Sequence, residues 1–188
     1  MLKTIEEYES FIELAGFTNV KIVDVEDFLK RIHQKKLSNV DIQLFDARFV
    51  ATWEHLYFAA LNALTAFKNG TNISKDLSIE IMLYASAQHQ IQKAIKLIGI
   101  KPTSSEMVVL VMGKEPKTVK SALSIVSKQI DAKLADEVLE LSEEKVATLR
   151  DIFEISDLEL ETVMEKGNFE KALTDLIIER MALLAIQN

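Results

Sequence analysis

The chain has 188 residues and 21.2 kDa, enough for a single domain with a sizeable core. Its 48% hydrophobic and 27% charged residues, with only 5 Gly and 2 Pro, exclude disorder, collagen-like repeats and Pro-rich linkers as the main content. The absence of cysteine excludes a disulfide framework, a thiolate-held zinc or iron–sulfur centre and a Cys nucleophile. The net charge of −7 is segregated: residues 1–67 carry −3, residues 68–130 carry +5, residues 131–170 carry −9 and the remainder is balanced. Such segregation points to a basic and an acidic surface with different partners, because the local field steers association. The longest apolar stretches, Ile79–Ala87 and Met107–Met112, fall far short of the ~20 residues that span a bilayer. Met1–Ser10 carries Glu6, Glu7 and Glu9 and does not read as a signal peptide. A cytoplasmic protein without membrane association is expected.

In chain order, Ser10, Ile12 and Leu14 alternate with Phe11 and Glu13 as in a strand, and Val20 and Ile22 sit similarly before Asp24. Asp24 predicts the N-cap of a helix running to about Lys36, with Val25, Phe28, Leu29 and Ile32 on one face. Val40, Ile42 and Leu44 alternate with Asp41 and Gln43, a strand with one wet face. Thr52 is read as the cap of a helix whose Ala-rich face comprises Leu56, Ala59, Ala60, Ala63, Leu64 and Phe67, and Gly70 stops it. Ile79–Ala85 is apolar on both sides apart from Glu80, which predicts a central strand. Next comes a helix with Ile91, Ala94, Ile95 and Ile98 buried and His89, Lys93 and Lys96 in a basic stripe at i, i+4 and i+7, ending before Gly99. Met107–Met112 reads as a second buried strand, followed by a helix from Pro116 to about Ile130. Lys114, Lys117, Lys120 and Lys128 enlarge the basic region. Beyond Asp131 only helices are expected. Ser156 and Glu159 have capping-box spacing, and Asn168 opens a last helix with Leu173, Leu176, Ile177, Met181 and Leu184 inside.

The expected fold is α/β, of the α+β kind: a mainly antiparallel sheet flanked by helices. Residues 1–188 form one domain, with a mixed strand and helix part over 1–130 and a helical carboxyl-terminal part over 131–188 that is a candidate subdomain.

Catalytic motifs are lacking. Neither GxGxxG nor GxxxxGK[ST] occurs, which excludes nucleotide binding by those loops. His33, His55 and His89 are 22 and 34 residues apart with no HExxH, so no metal site is assigned. Ser142 and Lys145 match SxxK, but they stand beside Glu143 and Glu144 at a helix start and read as an N-cap. The paired carboxylates of residues 136–165 read as a solvated face. No catalytic residue and no cofactor is assigned.

One resemblance covers nearly the whole chain from about Phe11. His55, Ala59, Ala63, Ala66-Phe67, Gly70, Asn72-Ile73, Glu80-Ile81, Leu83-Tyr84, Gln90-Ile91, Ala94-Ile95 and Gly99-Ile100 carry it, with Phe153, Ile155, Glu159-Leu160, Glu179-Arg180 and Ala182-Leu183-Leu184. In order and spacing these resemble the tRNA-binding accessory subunits of the KEOPS complex, the PRPK-binding protein family, in an archaeal-like form. Where relatives commonly read Ser-Gly-x-Arg-Gln-Ile, this chain has Ser86-Ala87-Gln88-His89-Gln90-Ile91. His89 replaces the arginine and lacks the permanent charge of guanidinium, so an RNA contact there should be weaker or more pH-dependent unless Lys93 and Lys96 compensate.

The resemblance implies a non-catalytic subunit of the complex that transfers a threonylcarbamoyl group to the adenosine beside the anticodon. Such a subunit holds the 3′ CCA end of tRNA and docks on the small lobe of the atypical kinase subunit, meeting the other subunits indirectly. A flexible single strand needs cations for its phosphates and apolar platforms for its bases. On that reading the tRNA end lies over Asn72, Ile73, Lys75, His89, Gln90, Lys93 and Lys96. Asn72 and Gln90 would read base edges, Ile73 would pack on a ring and the lysines would neutralise phosphate; the alternative is that Asn72 and Ile73 only shape the loop after Gly70. The acidic stretch Asp131–Glu170 suits a basic partner, but no kinase-contact residue is assigned. The alternatives are a kinase-binding adaptor or regulator without tRNA affinity and, more distantly, a small enzyme.

Overall fold

The structure, a computed structural model, describes residues 1–35 and 37–186; Lys36, the expected end of the first helix, lies outside them. The described residues are mixed α/β with an antiparallel sheet and a helical carboxyl-terminal part, and they divide into two compact units.

The first unit comprises Met1–Ala47 and Gly99–Leu139. Its strands are β1 (Leu2–Ile5), β2 (Ser10–Thr18), β3 (Val40–Asp46), β4 (Glu106–Gly113) and the two-residue β5 (Lys133–Leu134). They pair antiparallel in the order β1-β2-β4-β3, with β5 on the end of β2. β4 lies between β2 and β3 with Leu14 opposite Leu110 and Leu44 opposite Val109, which is why Met107–Met112 is apolar without alternation. Val20 and Ile22 are buried but belong to no strand: Asn19 takes a left-handed φ of 59°, and Val20 N–H donates to the Ser105 carbonyl at 3.0 Å.

Two helices, α1 (Val25–Lys35) and α5 (Pro116–Ser127), contribute to the core of this unit. Asp24 Oδ1 accepts the N–H of Asp27 at 2.9 Å and starts α1, which buries Phe28 and Ile32. Each such side chain is worth about 1.5–3 kcal/mol of burial. α5 opens on Pro116 and ends at Ser127, three residues before Ile130. Gly16 is required by close approach. An added Cβ would overlap the Ala135 carbonyl oxygen and a Val138 methyl, and Gly16 exchanges hydrogen bonds with Ala135 N–H at 2.8 Å and Asp136 Oδ1 at 3.2 Å.

The second unit, Arg48–Ile98 and Glu140–Asn188, is helical. Its helices are α2 (Trp53–Asn69), α3 (Leu77–Ala85), α4 (Ile91–Ile98), α6 (Glu143–Ile152), α7 (Asp157–Val163) and α8 (Phe169–Ile186). α2 packs on α3 and α8 through the fully buried Leu56, Ala59, Ala60 and Ala63. Thr52 holds the N-cap position of α2, but its hydroxyl has no partner among the described residues. α7 has the expected capping box of Ser156 with Glu159, and Asn168 Oδ1 accepts Lys171 N–H at the start of α8.

The expected central strand over Ile79–Ala85 is α3. Asp76 caps it, accepting from Ser78 N–H at 2.9 Å and Ile79 N–H at 3.2 Å. Burial on nearly every side, from Glu80 through Ala85, removes the apolar periodicity that separates a buried helix from a buried strand.

Candidate functional site

The expected site residues fall in three neighbouring segments: the loop before α3, the turn after it, and α4. α3 has nine residues, a span of about 13 Å at the rise of an α-helix, so all three segments border one short helix.

The loop begins where α2 ends. Gly70 takes a left-handed φ of 68°, and Thr71 N–H donates to the Ala66 carbonyl at 3.0 Å. The next turn is held by Glu80, whose side chain is fully buried. Its Oε1 accepts Ile73 N–H at 3.1 Å and its Oε2 accepts Ser74 N–H at 2.7 Å. Asn72 Nδ2 donates to the Ser74 carbonyl at 2.9 Å, and Ser74 Oγ accepts Asp76 N–H at 3.1 Å. Asn72 therefore shapes the loop with its amide, whereas Ile73 and Lys75 project outward. Tyr84, one turn beyond Glu80, has its phenol pKa raised by burial and then by the Glu80 charge, so it stays protonated.

The expected stripe of His89, Lys93 and Lys96 on one helix is not what forms. α3 ends in a Schellman turn, with Gln88 N–H on the Leu83 carbonyl at 3.0 Å and Ala87 N–H on the Tyr84 carbonyl at 2.9 Å. Ser86 Oγ adds bonds to Met82 and Leu83 carbonyls. Ala87 carries the left-handed φ of this turn, 49°, without being glycine. α4 starts only at Ile91, so a half-buried His89 and an exposed Gln90 lie in the connector, and Lys93 and Lys96 alone share α4.

α4 also corrects the expected core. Ala94 and Ile98 are buried, but Ile91 and Ile95, one turn apart, are 39% and 47% exposed. With Ile73 at 36%, they give this segment three large exposed aliphatic side chains. In a helix of eight residues these four apolar positions cover a single arc of about 100°, and sequence alone does not tell its buried half from its wet half. The interspersed lysines Lys75, Lys93 and Lys96 are exposed, and none of the ion pairs among the described residues includes them. The only carboxylates between Asn69 and Ile98 are Asp76 and Glu80, both occupied by backbone N–H groups. The segment thus offers positive charge and apolar surface together.

The other buried polar groups of this unit serve its architecture. His55 Nε2 bonds the Ala85 carbonyl at 2.8 Å while Nδ1 accepts Ala51 N–H at 3.2 Å, and Phe153 meets the ring edge-on at 5.6 Å. Burial, followed by the nearby Lys145 charge, outweighs the Ala85 bond and lowers the His55 pKa to about 4. Lys145, expected only as the end of an SxxK match, is buried, and its Nζ donates to the Val50 and Glu140 carbonyls at 3.1 Å each. Ser142 holds the N-cap position of α6 without a side-chain cap bond. Among the described residues no three His, Asp or Glu side chains come together to hold a metal, and no helix is long and apolar enough to cross a membrane.

Residues 17–185 match the family described as "Kinase binding protein CGI-121". A curated relative, "Regulatory protein Cgi121" of Methanocaldococcus jannaschii, is 33% identical over 145 residues, covering 77% of this chain and 83% of the relative.

Proposed function

Because this chain belongs to the CGI-121 kinase-binding family, we propose that it is a non-catalytic regulatory subunit that docks on an atypical small kinase and holds the single-stranded 3′ CCA end of tRNA, within the KEOPS machinery of threonylcarbamoyladenosine formation. The observation that carries the RNA half of this reading is the interleaving of exposed Ile73, Ile91 and Ile95 with Lys75, Lys93 and Lys96 in the one basic segment of an acidic chain. Aliphatic faces accept splayed bases, and ammonium groups displace the counterions of the phosphates. Holding and presentation need no reactive group. Glu80, His55 and Lys145, all buried in this unit, hold backbone in place.

Charge reversal tests the proposal. Lys93→Glu with Lys96→Glu should abolish tRNA binding at moderate salt and leave the melting temperature unchanged, because both side chains are solvated. Unchanged affinity removes the proposal.

One observation favours a second reading, an adaptor that binds the kinase without tRNA: His89, at the place where the resemblance implies an arginine, is half-buried. The same variants then bind their kinase normally, and the unmodified protein binds no RNA.

A further inference from the structure

We infer that Glu80 is a positioning residue for RNA recognition: from inside the unit it holds the Asn72–Lys75 loop in the one shape that presents Ile73 to a base. The inference rests on the RNA reading above. Two successive backbone N–H groups turned to one side form a concavity that ordinarily takes an anion such as phosphate. In this loop the donors are Ile73 and Ser74, and the anion is the chain's own carboxylate, one oxygen to each N–H at 3.1 and 2.7 Å. The phosphate-binding capacity of the turn is therefore used up internally. What remains for a ligand are the outward side chains, Ile73 and Lys75: an apolar face for a ring and one cation beside it. Glu80 itself is fully buried and touches no ligand, so its effect passes through the backbone of Ile73.

The loop is anchored at both ends. Glu80 belongs to α3, which Asp76 caps, and the loop chain re-enters α3 through Asp76, whose N–H is held by Ser74 Oγ. Ile73 thus sits between the Gly70 stop of α2 and the capped start of α3 with little freedom to turn. Pre-ordering of this kind strengthens binding by removing the cost of fixing the loop when the ligand arrives. Glu80→Gln is the informative change. The amide keeps one acceptor but sets an NH2 group against the second N–H, donor facing donor.

The experiment is a double-mutant cycle on tRNA affinity with Glu80→Gln, Ile73→Ala and the pair, read well below the melting temperature. Ser156→Ala, which removes the α7 cap, serves as a destabilised control. Each single change should weaken binding about tenfold, for Glu80→Gln the size of one lost bond to a charged group and for Ile73→Ala that of one lost apolar contact. The pair should be no weaker than the worse single variant, since both act on the same contact. Ser156→Ala should bind as the unmodified protein does. Glu80→Gln binding at full affinity, or losses that multiply to about a hundredfold in the pair, overturns the inference while leaving the RNA reading intact. Failure of the unmodified protein to bind tRNA overturns that reading first. Should Glu80→Gln not fold, amide exchange in the unmodified protein decides: Ile73 and Ser74 N–H should be protected, and rapid exchange at either contradicts the clamp.

Discussion

His55 donates from Nε2 to the carbonyl oxygen of Ala85 at 2.8 Å, so an imidazole near the start of α2 seals the last turn of α3. The ring is neutral in the folded protein, its pKa lowered to about 4 chiefly by burial, against 6.5 in the unfolded chain. The unfolded state therefore takes up a proton first as the pH falls. Stability from this group is complete above about pH 6.5 and drains away between there and about pH 4, reaching a loss of about 3 kcal/mol. Urea unfolding across that range should show the decline. His55→Gln should flatten it, and an unchanged slope in that variant would exclude His55 as the cause.

Ala87 carries a φ of 49° in the turn that ends α3, a conformation in which an L side chain crowds its own backbone. Ala87→Gly relieves that strain but loosens the unfolded chain, two effects of opposite sign. Strain is the larger, and the variant should gain up to about 1 kcal/mol, read as a rise of a few degrees in Tm. A drop in Tm would mean that the contact of the Ala87 methyl with the α6–α8 core outweighs the strain.

Gly16 has the opposite character. Its backbone is ordinary, but a Cβ would collide with the Ala135 carbonyl and a Val138 methyl. Gly16→Ala should cost about 1–3 kcal/mol by overpacking. In denaturant melts the midpoint should fall with little change of slope, and a neutral effect would show that the segment after β5 shifts without cost.

Ile91 and Ile95 leave 39% and 47% of their surface in solvent. Ile91→Ser with Ile95→Ser should lower Tm by only a few degrees, because each side chain is already partly solvated, yet weaken tRNA binding roughly tenfold or more, since fully covering one Ile side chain contributes about 1.5–3 kcal/mol. Filter binding against an intact tRNA measures it. Full affinity would restrict the RNA contact to the lysines and the Ile73 loop.

Much of the architecture is legible where a pattern has a period or an end signal. The face of α1 with Phe28 and Ile32, the stop at Gly70, the start at Pro116 and the capping box of Ser156 with Glu159 all follow from local chemistry. α3 does not, because a segment buried on nearly all sides has no period, and only Asp76 accepting from Ser78 and Ile79 reveals the helix. The start of α4 is hidden for a related reason: a Schellman turn usually advertises itself by glycine, and here it is built on Ala87. That shift takes His89 off the helix. It leaves Asn72, Ile73, Lys75, Gln90, Lys93 and Lys96 bordering α3, as loop, connector and helix instead of one stripe. Glu80 had one visible sign, a lone carboxylate in an apolar run, but its role depends on two backbone donors that only folding brings to it.

On the proposed reading, this family member holds the 3′ end of tRNA. The most direct test of that reading is binding of the purified protein to one deacylated tRNA, intact or lacking CCA, across a salt series. Intact tRNA should bind, truncation should remove binding, and the log–log salt slope should fall by about 1.4 when Lys93 and Lys96 become neutral, the share of two single-strand phosphate contacts. Equal binding of the two RNAs, or none to either, contradicts that reading.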